Sequence, residues 1–412
     1  MPRCGSHGWL PLAGCAIALA GCSAPSQPPF PEWAPRANAF APSPSSGNAF
    51  DGYVIAAREA EETAGDYVKY VSFQGKHKRE LTSRLAPALR RIRRAAQSSC
   101  DFKFVSQPPF ASNSNHVGWR LIRISLIWQI EAALAKDDLD TAINLVGLAT
   151  KFGFDLANGG AADADMGLQF VDEARRAIAP RLPDLSVGQL AKLTASLKDA
   201  LAVMPKFETI AQNENQNYRQ SVQWVQDQYR ANDFDAIDKA LGNPVRDAII
   251  YLKGVKKEDR EQRPAYFDGF AKEADQFANW ARSQAALPAV KRKPDKEMPL
   301  SDPRPWRRFS AQLFSTLPPI LARFDATLAR TRLLILTSEI HRQIKIARVA
   351  PRTLDAFSPE LLTDPYSGAT FKYRSTGMEF RLYSVGRNFQ DDMGNTDSIY
   401  ASPDLTLETS RR

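Results

Sequence analysis

Apolar residues recur at intervals of three or four positions along most of the chain between residues 50 and 348. The first such stretch carries Tyr53, Ala57, Ala60 and Ala64 at this spacing. Because an α-helix has about 3.6 residues per turn, residues at these intervals lie on one face and pack against a core. The pattern predicts a mainly α fold built from helical hairpins or a bundle.

The clearest pair of helices lies between residues 117 and 153. The apolar segment Trp119–Ala135 is followed by the acidic turn Lys136–Asp140 and by a second apolar segment that ends at Gly153. Two apolar helices joined by so short a turn pack as an antiparallel hairpin. This unit resembles a tetratricopeptide hairpin, with Asp in place of the family's Gly. No second copy follows at the family's period of about 34 residues, so the resemblance implies hairpins rather than a repeat array.

Residues that favour helix ends divide the rest of the helical sequence. Ser186 and Gln189 form a capping-box pattern, which predicts the start of a helix. Pro87 is expected to kink or split the stretch Lys78–Ala96, because proline lacks the amide that a helix interior requires. The stretch Asn158–Asp165, with its Asn, Gly and Asp residues, predicts a break between two helices.

The last long helical region follows a basic, Pro-rich segment, Pro288–Pro305, which is typical of an exposed loop or lid. Pro318 and Pro319 are expected to break the region Arg307–Arg348. Beyond them, apolar positions predict one buried stripe of a helix laid against a sheet or bundle. The stripe consists of Leu321, Phe324, Leu328, Thr331 and Ile335.

After this helix the pattern changes to alternation of apolar and polar residues. Thr370–Arg374 and Met378–Val385 alternate on either side of Ser375, Thr376 and Gly377. Because glycine adopts positive φ without steric cost, this arrangement predicts a β-hairpin. A two-stranded hairpin is marginal in water, so we expect it to pack on the preceding helix as a small C-terminal α+β module.

The region from Ile320 onward contains a set of turn, aromatic and acidic residues at characteristic positions. They are Pro351, Leu354, Asp364, Pro365, Gly368, Tyr373, Tyr383, Ser384, Gly386, Asp391, Asp392 and Gly394. In these residues the region resembles the carboxy-terminal half of type II secretion major pseudopilins. The resemblance covers about 75 residues and implies a long helix that carries a small hairpin module. In pseudopilins the long helix is amino-terminal and drives polymerisation, whereas here it is internal and charged, so we do not expect fibre assembly.

The amino terminus carries an apolar run, Trp9–Ala20, which is too short to span a bilayer and fits a secretory signal sequence. It ends in Leu19-Ala20-Gly21-Cys22, which resembles the lipobox of bacterial lipoproteins. The resemblance implies cleavage before Cys22, acylation of Cys22 and a lipid-anchored location in the bacterial cell envelope, at the outer membrane or the periplasmic face. The same tetrapeptide ends at Cys15, but too little apolar sequence precedes it there.

These observations predict five consecutive regions. Seven prolines lie between Ser23 and Asn48, which predicts an extended tether rather than a helix or strand. The regions are a lipoprotein signal peptide at 1–21, the lipid anchor and Pro/Ser-rich tether at 22–48, an α-helical domain at 49–305, the long helix with its pseudopilin-like hairpin tail at 306–400, and a disordered tail at 401–412.

Composition and motifs give little sign of catalysis. The formal net charge is +8, which is mild for 412 residues, and the four histidines are widely spaced. No nucleotide-binding, hydrolase or metalloprotease motif is present, and after export only Cys100 remains as a free thiol.

We expect a non-catalytic binding or scaffolding role, with the membrane as partner through the lipid, an envelope protein as a further candidate partner, and no nucleic acid. The alternatives are an accessory component of a type II secretion or pilus-like system, and an envelope hydrolase without a recognisable motif.

The acidic end of the tail is a candidate cation site. Asp391, Asp392, Asn395 and Asp397 offer oxygen ligands, which calcium prefers, and the pseudopilin resemblance implies calcium in this loop. The alternative is a solvated turn, because Asp and Asn tolerate tight backbone geometry. No cofactor is expected to be required, and calcium is the one candidate.

Overall fold

The computed structural model describes residues 47–69, 75–104, 113–241, 264–293, 316–394 and 404–407. Cys22, the signal sequence and nearly all of the predicted tether lie outside these ranges, as do Asn395 and Asp397. Among the described helices, none is both long enough and apolar enough to cross a bilayer.

The prediction of a mainly α fold with a small C-terminal hairpin is confirmed. The helices are α1 (Ala49–Ala64), α2 (Gly75–Arg84), α3 (Ala86–Ala95), α4 (His116–Ala135), α5 (Leu139–Leu156), α6 (Ala161–Ile178), α7 (Val187–Ala202), α8 (Phe207–Ala231), α9 (Phe234–Leu241), α10 (Pro264–Ala285), α11 (Leu317–Ala347) and the single turn α12 (Pro359–Leu362). Short 3₁₀ segments lie at Gly65–Lys69, Ala179–Asp184 and Ala289–Lys291. The strands are β1 (Lys372–Thr376) and β2 (Glu379–Tyr383).

The predicted hairpin of α4 and α5 is present. The two helices pack together, and the turn between them uses Asp137 at φ 60°, in the left-handed region. Asp138 caps α5, since its side chain accepts a hydrogen bond from the Thr141 amide at 3.2 Å. A side-chain oxygen at this position satisfies an amide that the first helical turn leaves unpaired.

Two further predictions about helix ends are confirmed. The Ser186 hydroxyl accepts from the Gln189 amide at 3.2 Å, and the Gln189 side chain accepts from the Ser186 amide at 3.0 Å, which completes the capping box of α7. Pro87 lies in the first turn of α3, and the helical stretch is split between Arg84 and Ala86. Proline is tolerated there because first-turn amides have no partner within the helix.

Two other predictions need correction. The break expected over Asn158–Asp165 is shorter, because α6 already begins at Ala161 and Asp163 serves as its capping acid. The segment from Pro288, expected as an exposed loop, is hydrogen-bonded to the C-terminal tail through its first residues. The amides of Ala289 and Val290 donate to the carbonyls of Pro365 and Tyr366 at 3.0 and 2.9 Å. The remainder of that segment, from residue 294, lies outside the described residues.

The long helix α11 lies at the centre of the fold. It contacts α6, α7, α8, α10, α12 and β2, and every residue from Leu333 to Ile340 is buried. The prediction of one apolar stripe is therefore too narrow, since this stretch is covered on all sides. Two of its buried hydroxyls bond within the helix: Thr331 donates to the Thr327 carbonyl at 2.8 Å and Ser338 to the Leu334 carbonyl at 2.7 Å. Pro318 lies at the start of α11, where it is compatible with the helix.

The predicted C-terminal hairpin is present, but its turn is shorter than expected, because Ser375 and Thr376 belong to the first strand. Strands β1 and β2 pair antiparallel, with Thr376 opposite Glu379, so Gly377 and Met378 form the two-residue turn. Gly377 has φ 63°, as expected for this turn. The hairpin packs on α11, where the Phe380 ring meets the His341 ring at 5.3 Å between centroids.

Asp364 organises the start of the tail. Its carboxylate is buried and accepts hydrogen bonds from the Ser384 hydroxyl at 2.8 Å, the Tyr366 amide at 3.0 Å and the Val385 amide at 3.3 Å. One side chain thus joins the turn after α12 to the end of β2. Burial of a carboxylate is tolerated where several donors replace water.

Helices α5 and α6 touch through their backbones. A Cβ added at Gly167 would lie 2.2 Å from the Gly153 carbonyl oxygen, and one added at Gly153 would lie 2.5 Å from the Gly167 carbonyl oxygen. Because backbone atoms cannot move aside as a flexible side chain can, these two positions set how closely the helices approach.

We predict that Gly167→Ala lowers the free energy of unfolding by about 1–3 kcal/mol, as expected when a well-packed contact is overfilled. The measurement is urea unfolding followed by circular dichroism. Gly188→Ala is the matched control, because a Cβ there meets nothing within 4 Å and the residue lies in α7. It should instead raise stability by up to about 1 kcal/mol. Equal stability of the two variants would contradict the close-contact explanation.

Candidate ligand cavity and buried polar cluster

The sequence-predicted cation ligands are only partly within the described residues. Asp391 accepts hydrogen bonds from the Tyr383 hydroxyl at 2.8 Å and the Met393 amide at 3.1 Å, and lies 3.4 Å from the Lys372 ammonium. The Tyr383 hydrogen bond is the largest cause of the lowered pKa of Asp391. Asp392 accepts from the Asn388 side chain at 2.7 Å. In the described ranges no three His, Cys, Asp or Glu residues are grouped to hold a metal. With Asn395 and Asp397 outside those ranges, the calcium site stays a prediction.

Cys100 is the free cysteine of the described fold. Burial is the main cause that raises the pKa of its thiol to about 12. At neutral pH the thiol is therefore protonated, and the protonated form is a poor nucleophile. The sulfur is part of the packing between α1 and its neighbours rather than a reactive group.

A cavity of about 270 Å³ lies where the helical body meets the C-terminal tail, and we call it the seam cavity. It forms because the chain after α10 folds onto the tail through the Ala289 and Val290 hydrogen bonds described above. Residues from α8, α10, α11, the 288–293 segment and the tail line it, so the cavity joins positions that are distant in sequence. They are Phe207, Trp280, Ala281, Gln284, Ala289, Arg292, Lys293, Leu317, Pro318, Leu321, Ala322, Asp325, Tyr366, Arg387 and Phe389.

The wall of the seam cavity contains a buried ion pair. Arg292 binds both carboxylate oxygens of Asp325 through its two terminal nitrogens, one of them at 3.0 Å. Its Nε atom donates to the Gln284 and Leu287 carbonyls at 2.9 and 3.0 Å. Burial raises the pKa of Asp325 and the Arg292 guanidinium opposes that shift. The pair is fully engaged, so it holds the 288–293 segment on α11 and leaves no free carboxylate in the cavity.

Two donors in the lining are buried and have no acceptor among the described residues, although the Arg387 guanidinium donates toward one of them, the Tyr366 hydroxyl. They are the indole nitrogen of Trp280 and the hydroxyl of Tyr366, whose side chain is 2% exposed. Burial raises the pKa of Tyr366, the Asp325 charge raises it further, and Arg387 lowers it. Buried donors in native proteins normally have a partner, so these N–H and O–H groups are candidates to hydrogen-bond to a ligand.

The charges around the cavity are unbalanced. Its lining holds three cations, Arg292, Lys293 and Arg387, and one carboxylate, Asp325. Lys293 and Arg387 are exposed and make no ion pair with a described residue. Aromatic walls, two unused donors and spare positive charge together suit a small ligand that has an apolar part and an anionic group.

A second cavity of about 470 Å³ lies between α7, α11 and α12. Arg332 is its most buried charge, and its Nη1 atom donates to the Thr363 carbonyl at 2.7 Å. Burial lowers the pKa of Arg332. The other charged lining residues, Lys198 and Glu360, have opposite signs, so this cavity offers less spare charge than the seam cavity.

A buried polar cluster surrounds the amino terminus of α6. The His116 ring contacts Asp163 at 2.6 Å, and Asp163 also accepts from the Gly160 amide at 3.1 Å. Glu214 of α8 accepts from the Ala161 amide at 2.9 Å and from the Thr316 hydroxyl at 3.1 Å. Two carboxylates at a helix amino terminus satisfy its free amides and face the positive end of its dipole.

The partners of Glu214 are distant from it in sequence. Its partners lie 53 and 102 residues away, on α6 and at the start of α11. One residue of this cluster could have been predicted from the sequence. Asp163 lies three residues after Gly160, which is the spacing of an acid that caps the start of a helix. Burial raises the pKa of Glu214, against the lowering effect of its hydrogen bonds.

Comparison with known proteins adds no relative: no protein-family model, curated protein or solved structure matches this chain. The resemblances to lipoproteins and pseudopilins therefore rest on the residues quoted for them. Function has to be argued from the seam cavity and from the chemistry of the sequence.

We predict that Glu214 makes the protein less stable as the pH rises. Its folded-state pKa is raised above the ordinary glutamate value of 4.5, so its contribution to stability is complete below that pH and is lost as the pH increases through the folded pKa. Glu214→Gln keeps an acceptor and removes the charge. Its stability relative to the native chain should increase from pH 4.5 upward, by about 1.4 kcal/mol for each pH unit between the two pKa values.

Urea unfolding at several pH values measures this difference. Glu208→Gln is the matched control, because it removes a carboxylate that is exposed on the same helix. A difference between Glu214→Gln and the native chain that stays constant with pH would refute a raised pKa for Glu214.

Proposed function

We propose that the protein is a lipid-anchored, exported protein of the bacterial cell envelope whose helical body binds a small anionic ligand in the seam cavity without catalysis. The observation that carries the binding role is the pair of buried, unused donors on Trp280 and Tyr366. Such donors would hydrogen-bond to ligand oxygens, while Lys293 and Arg387 would attract the charge.

The binding role is favoured over hydrolysis by the state of the cavity's carboxylate. A general base needs a free acceptor within reach of substrate. Asp325 has both oxygens bound by Arg292, and Glu214 lies away from the cavity lining with its oxygens occupied. The described lining therefore provides positioning and charge rather than a free acid–base group.

The last residue of the predicted tether, Asn48, is part of the helical body. Asn48 is the N-cap of α1 and accepts from the Phe50 amide at 3.1 Å. Its side chain also pairs with the Asp101 backbone at 2.7 and 2.9 Å. The folded body is thus fixed at the residue where the Pro-rich sequence ends, as expected for a domain held by a tether from Cys22.

We predict that Cys22 is the acylated residue. In a bacterial host fed an alkyne fatty acid, the native chain should become labelled and remain in the membrane fraction. Cys22→Ala should abolish labelling, because the thiol that receives the lipid is gone. Cys15→Ala, in the earlier copy of the same tetrapeptide, is the matched control and should be labelled normally. Persistent labelling of Cys22→Ala would rule out this anchor.

We also predict that aromatic anions bind the seam cavity. Benzoate, indole-3-acetate and phenyl phosphate at millimolar concentration should raise the melting temperature, whereas neutral benzamide should have little effect. Trp280→Phe keeps the ring and removes the N–H donor, so it should weaken binding about tenfold.

Isothermal titration measures the affinity. The matched control is Trp224→Phe, on α8 and outside the cavity lining, which should bind as the native chain does. No heat and no thermal shift with any of the three anions would count against the proposed ligand class, as would equal weakening by the two tryptophan substitutions.

A further inference from the structure

Almost all of the chain's net charge lies on two short helices. Residues 75–96, which contain α2 and α3, include eight Lys and Arg residues and one acid, Glu80, so they carry +7 of the net charge of +8. The rest of the chain is close to neutral. This concentration is far greater than an even distribution of solubilising charge would give.

The structure places this charge on one exposed surface of each helix. Leu81 of α2 and Leu89 and Ile92 of α3 are buried in the main core, where the two helices pack against α1 and α4. The opposite sides carry exposed cations, which we call the basic face. It consists of Lys76, Arg79, Arg90, Arg93 and Arg94.

Most of the basic face is available to a partner. Three other cations of this segment are engaged: Lys78 with Glu131, Arg84 with Glu80 and Arg91 with Glu59. By contrast, Arg79, Arg90 and Arg94 make no ion pair with any described residue. Arg90 and Arg94 stand one turn apart on α3, so two guanidinium groups project side by side.

We propose that the basic face docks on the surface of an anionic lipid bilayer, with its guanidinium groups on lipid phosphates. Guanidinium binds phosphate through paired hydrogen bonds, and clustered cations near an anionic surface add their attraction. The apolar sides of both helices are buried in the core, so the docking relies on the charge of their outer sides. Small residues, such as exposed Ser83, separate the cations and leave the surface open to headgroups.

The position of these helices in the chain favours a membrane over other polyanions. They follow α1, which begins at the end of the tether proposed to run from Cys22. The lipid anchor would therefore bring the basic face near the bilayer, a step that rests on the proposed function. Binding of single-stranded nucleic acid relies on exposed aromatic rings that stack on bases. At the exposed positions of α2 and α3 the only ring is His77.

Vesicle flotation of the full chain carrying Cys22→Ser tests the proposal, because no lipid then holds the protein on the vesicle. Binding is compared on phosphatidylcholine vesicles and on vesicles with about one third phosphatidylglycerol, at low and raised salt. The expected result is binding that requires phosphatidylglycerol and weakens with salt. Any contribution from the apolar run Trp9–Ala20 is common to all variants.

The decisive variant is Arg79→Glu/Arg90→Glu/Arg94→Glu. Since each cation near an anionic surface changes binding about fivefold, the triple reversal should reduce phosphatidylglycerol-dependent binding by roughly 100-fold or more. The matched control reverses three exposed cations elsewhere, Lys198, Lys206 and Lys272, with the same change in net charge. It should retain binding within about fivefold, the effect of one cation. Melting curves confirm that both variants are folded.

Equal loss in the two triple variants would overturn the proposal, because net charge rather than the basic face would then control binding. Binding that is independent of phosphatidylglycerol would also overturn it. So would tighter binding to a short DNA duplex than to the anionic vesicles at the same salt concentration. The result does not depend on acylation of Cys22, which the labelling experiment tests separately.

Discussion

The burial of the stretch Leu333–Ile340 of α11 on every side is the constraint on which the rest of the structure depends. A helical stretch covered on all sides needs partners around its whole circumference, and the neighbours of α11 are α6, α7, α8, α10, α12 and β2. Its hydroxyl side chains can be enclosed because Thr331 and Ser338 bond to carbonyls of the same helix. The helical body and the tail are both arranged around this one element, and the seam cavity lies where their coverage of it is incomplete.

The parts of the fold that were predictable from the sequence are those set by neighbouring residues. The capping box at Ser186 and the turn at Gly377 were predictable because a few adjacent residues determine their geometry. Pro87 also marked the split between α2 and α3 correctly. These features need no knowledge of tertiary contacts.

The features that sequence analysis missed depend on contacts between distant residues. The stretch Leu333–Ile340 is enclosed by surfaces from several parts of the chain, and its sequence shows this only as weak amphipathicity. The partners of Glu214 are on α6 and α11. The seam cavity is likewise a product of assembly, because Trp280 and Tyr366 acquire a shared environment only after the 288–293 segment has docked. The alternation and periodicity of apolar residues carry no information on which distant residues come into contact.

The docked 288–293 segment has a consequence for cooperativity. Its backbone pairs with Pro365 and Tyr366, its Arg292 is bound to α11, and Pro288 packs where Gly368 leaves no room for a side chain. The C-terminal tail is therefore held to the helical body by the 288–293 segment as well as by its covalent connection to the end of α11. If the hairpin opens locally, the contacts of the 288–293 segment with the tail and with α11 must also break. The tail and the helical body should therefore exchange amide hydrogens as one cooperative unit. The C-terminal module, which resembles a separate domain in sequence, should therefore unfold together with the helical body.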